Sequence, residues 1–292
     1  MHVRFAPPSE DAQLFVSEMD RETDLDFPGR DTVHIGEHVR TTQRETFDPQ
    51  TDGGWRVTSM LLDELAKRNG VPVASAVPLK GVPFVARIDA KGRFVRAEDV
   101  DETIAAIEAN APTKVLHDLM APLLTPKVVA RRIAEEWRRR TTGLCNSDLT
   151  PGQTFFGLDT QGLPMGGPAV SVVKATVIGE SQVGIEPAVE VALEFGGASS
   201  RLAREAGAEP ILSKLEPGVL TGDVTGRGVR YISLDTCQVL LEKATLDGAW
   251  TLNEKAVGKK AAKAFPKRIR FRVSRTTREV AGPEAAVAQP MP

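Results

Sequence analysis

Apolar and polar residues alternate with period two along most of this chain, and a helical spacing replaces the alternation only once, between about Val100 and Arg140. Period two places alternate side chains on opposite faces of a strand, so long alternating runs closed by tight turns predict antiparallel sheet. The first such runs are Val3 to Phe5, Leu14 to about Met19 and Thr32 to about Phe47, separated by Pro7-Pro8 and Phe27-Pro28-Gly29. In the third run Val33, Ile35 and Val39 share one face, while His34, His38, Arg40 and Arg44 share the other. Trp55 to Lys67 reads as strand or as strand plus short helix. Asn69-Gly70 favours one long strand returning through Val71 to Val77, because both residues tolerate the positive φ of a type I′ turn. A second hairpin is expected at Asp89-Ala90-Lys91-Gly92.

The helical stretch divides into three. Asp99 or Asp101 offers an N-cap to a first helix carrying Ile104, Ile107 and Ala111. Pro112 interrupts, Val115, Leu116, Leu119 and Met120 continue the spacing, and Pro122 interrupts again. In the third, Thr125 caps, Pro126 takes the first helical position, and Val129, Ile133 and Trp137 form one apolar stripe. Strands resume at Thr154, with runs Val170 to Ile178 and Ala188 to Phe195 and a short helix expected from Ser199 to Ala206. A hairpin from Tyr231 to Leu252 is expected to turn at Asp247-Gly248. The last run, RIRFRVSR, sets Ile269, Phe271 and Val273 against Arg268, Arg270 and Arg272.

The expected fold class is therefore α+β: a curved, mostly antiparallel sheet, half-barrel-like and in two strand-rich halves, with a central helical segment packed on one face. Residues 1–99 supply the N-terminal strands, 100–143 the helices, and 144–280 the C-terminal strands of the same domain. Residues 281–292 have the composition of a disordered tail.

Composition narrows the function classes. The 292 residues are 41% apolar and 26% charged with a formal net charge of -2, so no global attraction draws the chain to nucleic acid or to an anionic membrane. No run approaches a spanning helix, and MHVRFAPP opens without the charged and apolar regions of a signal peptide. Ten Lys or Arg and no acid lie between Lys255 and Arg278. Lys267, Arg268, Arg270 and Arg272 thus present a basic surface, to be matched either by an anionic surface or by the acidic N-terminal strands carrying Glu18, Asp20, Glu22, Asp24 and Asp26.

Catalytic and metal constellations are not recognisable. His34 and His38 would stand about 13 Å apart on a strand, too far for one zinc ion. Gly222, Gly226 and Gly228 precede a strand and not a helix, which excludes a phosphate cradle and leaves turn glycines as their reading. Cys145 and Cys237 are read either as two buried thiols or as a disulfide closing a long loop. Neither a cofactor nor a metal is expected, and an enzyme of unassigned chemistry is only the remote alternative.

VRFAPP (Val3–Pro8), GWRV (Gly54–Val57), NGVPV (Asn69–Val73), GVPFVARIDAKGRFV (Gly81–Val95), TPKVVARRIAEEW (Thr125–Trp137) and LTPGQTF (Leu149–Phe155) together resemble a group of uncharacterised exported lipoproteins of myxobacteria and relatives, from residue 2 to about 280. The resemblance implies a lipoprotein signal upstream of Met1 and a periplasmic or outer-membrane location; if Met1 is the native start, the location is cytoplasmic. The layout is also similar to the half-barrel of lipoprotein carriers and related lipid-binding envelope proteins.

The resulting expectation is a non-enzymatic envelope protein holding an acyl chain, a lipid or a lipidated protein between helices and sheet. The expected lining is Val115, Leu119, Leu123, Val129, Ile133 and Trp137 on the helices, against Val57, Phe84, Ile88, Val172 and Ile232 on the sheet. About 0.8 kcal/mol per buried methylene makes micromolar binding reasonable for a chain of about ten carbons. The alternative is an envelope scaffold with a solid core that docks another protein through a sheet edge or the basic strand.

Overall fold

A computed structural model describes residues 1–7, 12–73, 79–111, 124–141, 144–162, 168–208, 220–253 and 265–280. The expected helix around Val115 to Met120 and the expected tail after Val280 lie outside these residues. The strands are β1 (His2–Val3), β2 (Gln13–Asp26), β3 (Val33–Pro49), β4 (Trp55–Arg68), β5 (Val71–Val73), β6 (Pro83–Ile88), β7 (Phe94–Glu98), β8 (Ser147–Asp148), β9 (Thr154–Gly162), β10 (Pro168–Val183), β11 (Glu186–Gly196), β12 (Leu220–Ser233), β13 (Val239–Leu252) and β14 (Arg268–Val280). The helices are α1 (Val100–Asn110), α2 (Pro126–Thr141) and α3 (Arg201–Glu205).

One large, curved, unclosed antiparallel sheet runs β7-β6-β4-β3-β2-β14-β13-β12-β11-β10-β9, with β5 folded back on β4. It consists of two meanders, joined at the middle where β2 meets β14. Leu14 lies opposite Val280, and Asp26 opposite Arg268. The acidic and basic chain ends are therefore neighbours. Arg268, Arg270 and Arg272 stand opposite Asp26, Asp24 and Glu22, with Arg270 3.6 Å from Asp24 and Arg272 2.8 Å from Asp247 on β13. Lys267 prolongs the seam, its amide donating to the Asp26 carbonyl at 2.7 Å.

Alternation divides the sheet into a core face and an outer face. Leu25, Val57, Ile88, Val189, Ile232, Leu246, Ile269 and Val273 belong to one buried cluster spanning both meanders. Helices α1 and α2 cover the β6–β7 end of that face, where Val129 and Ile133 pack on Ala86, Phe84 and Ile104. Helix α3 sits on the opposite face, capped by the Ser200 side chain accepting from the Ala203 amide, with Leu202 and Ala203 packed on Val172.

Local chemistry explains which turns form. Asn69 and Gly70 adopt φ 50° and 80°, as a type I′ hairpin requires. Asp247-Gly248, expected as a turn, lies inside β13; the chain turns instead between Ser233 and Gln238. A Cβ on Gly248 would come within 2.8 Å of the Phe271 ring and closer still to Trp250, so glycine there admits the Trp250–Phe271 stack, whose centroids lie 4.8 Å apart. Gly222, Gly226 and Gly228, read as turn glycines, likewise sit within β12 and let it approach β13 closely; at Gly228 a Cβ would meet the Lys243 carbonyl at 2.6 Å. Asp99 occupies the N-cap position of α1 with a left-handed backbone and makes no side-chain cap bond.

The N-terminus closes one end of the core. β1 pairs with β8, the Arg4 amide donates to the Leu234 carbonyl at 2.8 Å, and Cys145 and Cys237 are joined as a disulfide with Cα atoms 5.4 Å apart. That bond ties the segment carrying buried Leu144 and Leu149 to the turn between β12 and β13.

Candidate functional site

The chemistry concentrates where the end of α2 faces the middle of the sheet. There, core-face positions that would ordinarily be apolar carry polar side chains: Ser17 on β2, Gln43 and Glu45 on β3, Glu242 on β13 and Thr277 on β14. With Phe15, Val239, Gln238 and, from α2, Glu136 and Trp137, they line a partly open cavity of about 50 Å³. That volume holds about one or two water molecules.

Each wall is positioned by a different device. Trp137 is held by its indole N–H donating to the Gly92 carbonyl at 2.9 Å and by edge-on contacts with Phe5 and Phe47. Gln238 follows Cys237, whose left-handed backbone (φ 62°) and disulfide fix the turn that leads into β13. Ser17 and Thr277 hydroxyls meet at 2.9 Å across the β2–β14 seam, and Gln43 donates to Ser59 at 2.9 Å.

Glu242 belongs to a chain of alternating charges on the core face. Arg230 donates to it at 2.7 Å and Arg275 at 3.0 Å, and Arg275 also reaches Asp159 at 3.1 Å while lying over the Phe195 ring. A buried pair survives desolvation only when each charge is met in this way, and the two arginines fix Glu242 at the cavity edge.

Gln238 is different. It is 3% exposed, and neither its Oε1 nor its Nε2 has a hydrogen-bond partner. A buried hydrogen-bonding atom left unmet costs about 1–3 kcal/mol, so the Gln238 amide, closed off from solvent beside the cavity, is a polar weak point in the packing of this wall.

The expected lining residues do not form one surface. Val129, Ile133 and Phe84 meet in the packing of α2 on β6, and Trp137, Val57, Ile88 and Ile232 join the main core. Val172 points to the outer face beneath α3, because its register partner on β11 is one step out of phase with the core-facing Phe195. Val115, Leu119 and Leu123 lie outside the described residues. Trp137 alone of the described set lines the cavity. The polar wall was missed, although Gln43 and Glu45 continue the phase of Ile35 and Val39, and Glu242 that of Ala244 and Leu246. A polar residue in phase with an apolar stripe is the signal that would have found it.

His34 and His38 lie on the outer face, each on an aspartate of β2: His34 on Asp24 at 2.9 Å and His38 on Asp20 at 2.8 Å. Among the described residues no group of three or more His, Cys, Asp or Glu is placed to hold a metal ion, and no helix is long and apolar enough to cross a membrane.

No family model matches the chain, and no curated protein does. Among solved structures it is similar to a lipovitellin studied for its lipid–protein interactions, with a TM-score of 0.42 and 11% identity over 92% of this chain. The chain spans 25% of that lipovitellin chain. A protein with a YmcC-like fold from Bacteroides fragilis gives a TM-score of 0.24 at 9% identity, over 93% of this chain and 97% of that one. A LolA superfamily protein from Nitrosomonas europaea gives 0.15 at 7%, over 97% and 91%. All three lie below a TM-score of 0.5, and none bears on what this chain binds.

Proposed function

We propose that this is a non-enzymatic binding protein of the bacterial envelope that holds an amphiphilic ligand, an acyl chain with a polar end, between α2 and the core face of its sheet. The observation that carries the reading is the divided cavity: Phe15, Trp137 and Val239 supply an apolar wall, and Gln238, Glu45, Ser17 and Thr277 a polar one. An amphiphile satisfies both at once, its polar end seated within and its chain leaving past Trp137. The disulfide supports an oxidising compartment, since such bonds persist outside the cytosol.

Native mass spectrometry of the purified protein, followed by organic extraction and lipid analysis, tests the reading. A stoichiometric amphiphile that is lost on Trp137→Ala, in a variant whose near-ultraviolet spectrum stays folded, is the expected result. An apo mass that takes up no added fatty acid, monoacylglycerol or phospholipid refutes it.

A docking module is the second reading. It is favoured by Phe156 and Leu158 on the edge strand β9 and by nearby Ile178, all exposed on the outer face.

A further inference from the structure

We propose that the Cys145–Cys237 disulfide sets the affinity of the cavity, latching its sheet wall to its helix wall so that breaking the bond weakens ligand binding while the fold persists; this rests on the amphiphile reading above. One arm of the latch is short. Cys237 is fully buried, and the two residues that follow it, Gln238 and Val239, both line the cavity. Cys237 takes a left-handed backbone (φ 62°), a conformation that turn chemistry ordinarily gives to glycine or asparagine. A cysteine in that place is there for its sulfur.

The other arm runs to Trp137. Cys145 lies eight residues beyond Trp137 and is followed by Asn146, also left-handed (φ 56°). Asn146 Nδ2 donates to the Lys91 carbonyl at 2.8 Å, and its Oδ1 accepts from the Phe5 amide at 3.4 Å. The next carbonyl, that of Gly92, accepts the Trp137 indole N–H at 2.9 Å, and Phe5 meets the Trp137 ring edge-on with centroids 6.4 Å apart. Two of the contacts that orient Trp137 therefore rest on the segment that the disulfide anchors. With the bond cut, the Arg4–Leu234 bond and the β1–β8 pair still close this end, so the change is a looser cavity and not an unfolded protein. A cavity that is competent for only part of the time binds in proportion to that fraction. The coupling is reciprocal: a ligand that prefers the latched protein makes the bond harder to reduce by the same factor.

A dithiol breaks the bond in a balanced exchange. Reduced dithiothreitol supplies two electrons and two protons, the protein disulfide becomes two thiols, and the reagent closes to its own cyclic disulfide. The test uses the intact protein, oxidised or reduced in this way at neutral pH without oxygen, with 1-decanoylglycerol and decanoate as probes, each kept below its aggregation threshold. Isothermal titration of the oxidised protein identifies the tighter probe. Reduction should weaken its binding by about tenfold, as for a cavity competent about a tenth of the time, with far-ultraviolet dichroism unchanged. Conversely, saturating probe should shift the ratio of reduced to oxidised dithiothreitol that half-reduces the protein by about the same tenfold. Should the reagent not reach the bond in the folded protein, the double variant Cys145→Ser, Cys237→Ser stands in for the reduced state in the binding measurement. Gly248→Ala, which strains the core away from the lining residues, should bind the probe within about twofold of the wild type and so separates a latch from a general loss of stability. Equal affinities in the two redox states, a reduction ratio unmoved by the probe, or a matching loss of affinity in Gly248→Ala overturns the inference and leaves the amphiphile reading standing. Loss of the dichroism on reduction overturns it as well, since a latch needs a fold that outlives it. Binding of neither probe to the oxidised protein overturns the amphiphile reading, and this inference with it.

Discussion

Replacing Cys145 and Cys237 together by serine should cost the protein a large and calculable part of its stability. The two residues are 92 positions apart. Closing a loop of that length removes denatured-state entropy worth about 4.6 kcal/mol at room temperature in the chain-entropy relation. A chain of 292 residues unfolds with an entropy of about 0.6 kcal/mol/K near its midpoint, so the melting temperature should fall by about 8 °C. The local structure should survive, because the Arg4–Leu234 bond and the β1–β8 pair still hold the same end of the molecule closed. Urea unfolding of the oxidised protein and the double serine variant, followed by far-ultraviolet dichroism, measures the difference. A midpoint shifted to lower urea is expected, with a slope no shallower than that of the oxidised protein, because the denatured chain without its crosslink exposes more surface. A loss under about 1 kcal/mol would show that the denatured chain is already compact around this loop, and would refute the entropic account.

Gly248→Ala should destabilise by about 1–3 kcal/mol in the same unfolding assay, through the clash of its methyl with the Trp250 and Phe271 rings; an unchanged midpoint would show that the stack shifts freely. Acid should weaken the β2–β3–β4 region through Glu37. Burial alone would raise this carboxyl, but hydrogen bonds and charge from Arg21 and Arg68 outweigh it and hold it below its ordinary value of 4.5. Its contribution is therefore complete above that value and is lost as pH falls through the lower folded value. Unfolding free energy measured from pH 6 to pH 3 should drop less steeply in Glu37→Gln, and parallel profiles would contradict the assignment.

Much of the fold was legible because its signals are local. Asn69-Gly70 marks a hairpin through backbone conformations few other residues accept, and Thr125-Pro126 ahead of the Val129–Ile133–Trp137 stripe marks α2. The pairing of chain ends was legible in charge, since Arg270 needs a partner and Asp24 supplies it. Asp247-Gly248 misled because glycine answers two demands, a turn or a close approach, and only the position of Trp250 in space decides between them. The cavity was illegible for a related reason. Glu45, Glu242 and Gln238 come from strands and a turn far apart in sequence, and their shared surface exists only once the sheet has curved.

The seam between β2 and β14 governs the order in which this molecule can be made. Gln13 and Glu279, bonded across it, are 266 residues apart. Each meander can assemble from neighbouring strands as it is synthesised, yet the two halves cannot join until the last strand is complete. Until then β2 waits with an open edge, the condition in which strands find the wrong partner. Its outer side chains, Glu18, Asp20, Glu22, Asp24 and Asp26, repel a second copy of themselves, and beyond their pairs with His34, His38 and Arg40 of β3 they attract the arginines of β14. The same charges that close the finished sheet thus guard the unfinished one, keeping newborn chains apart for as long as each lacks its final strand.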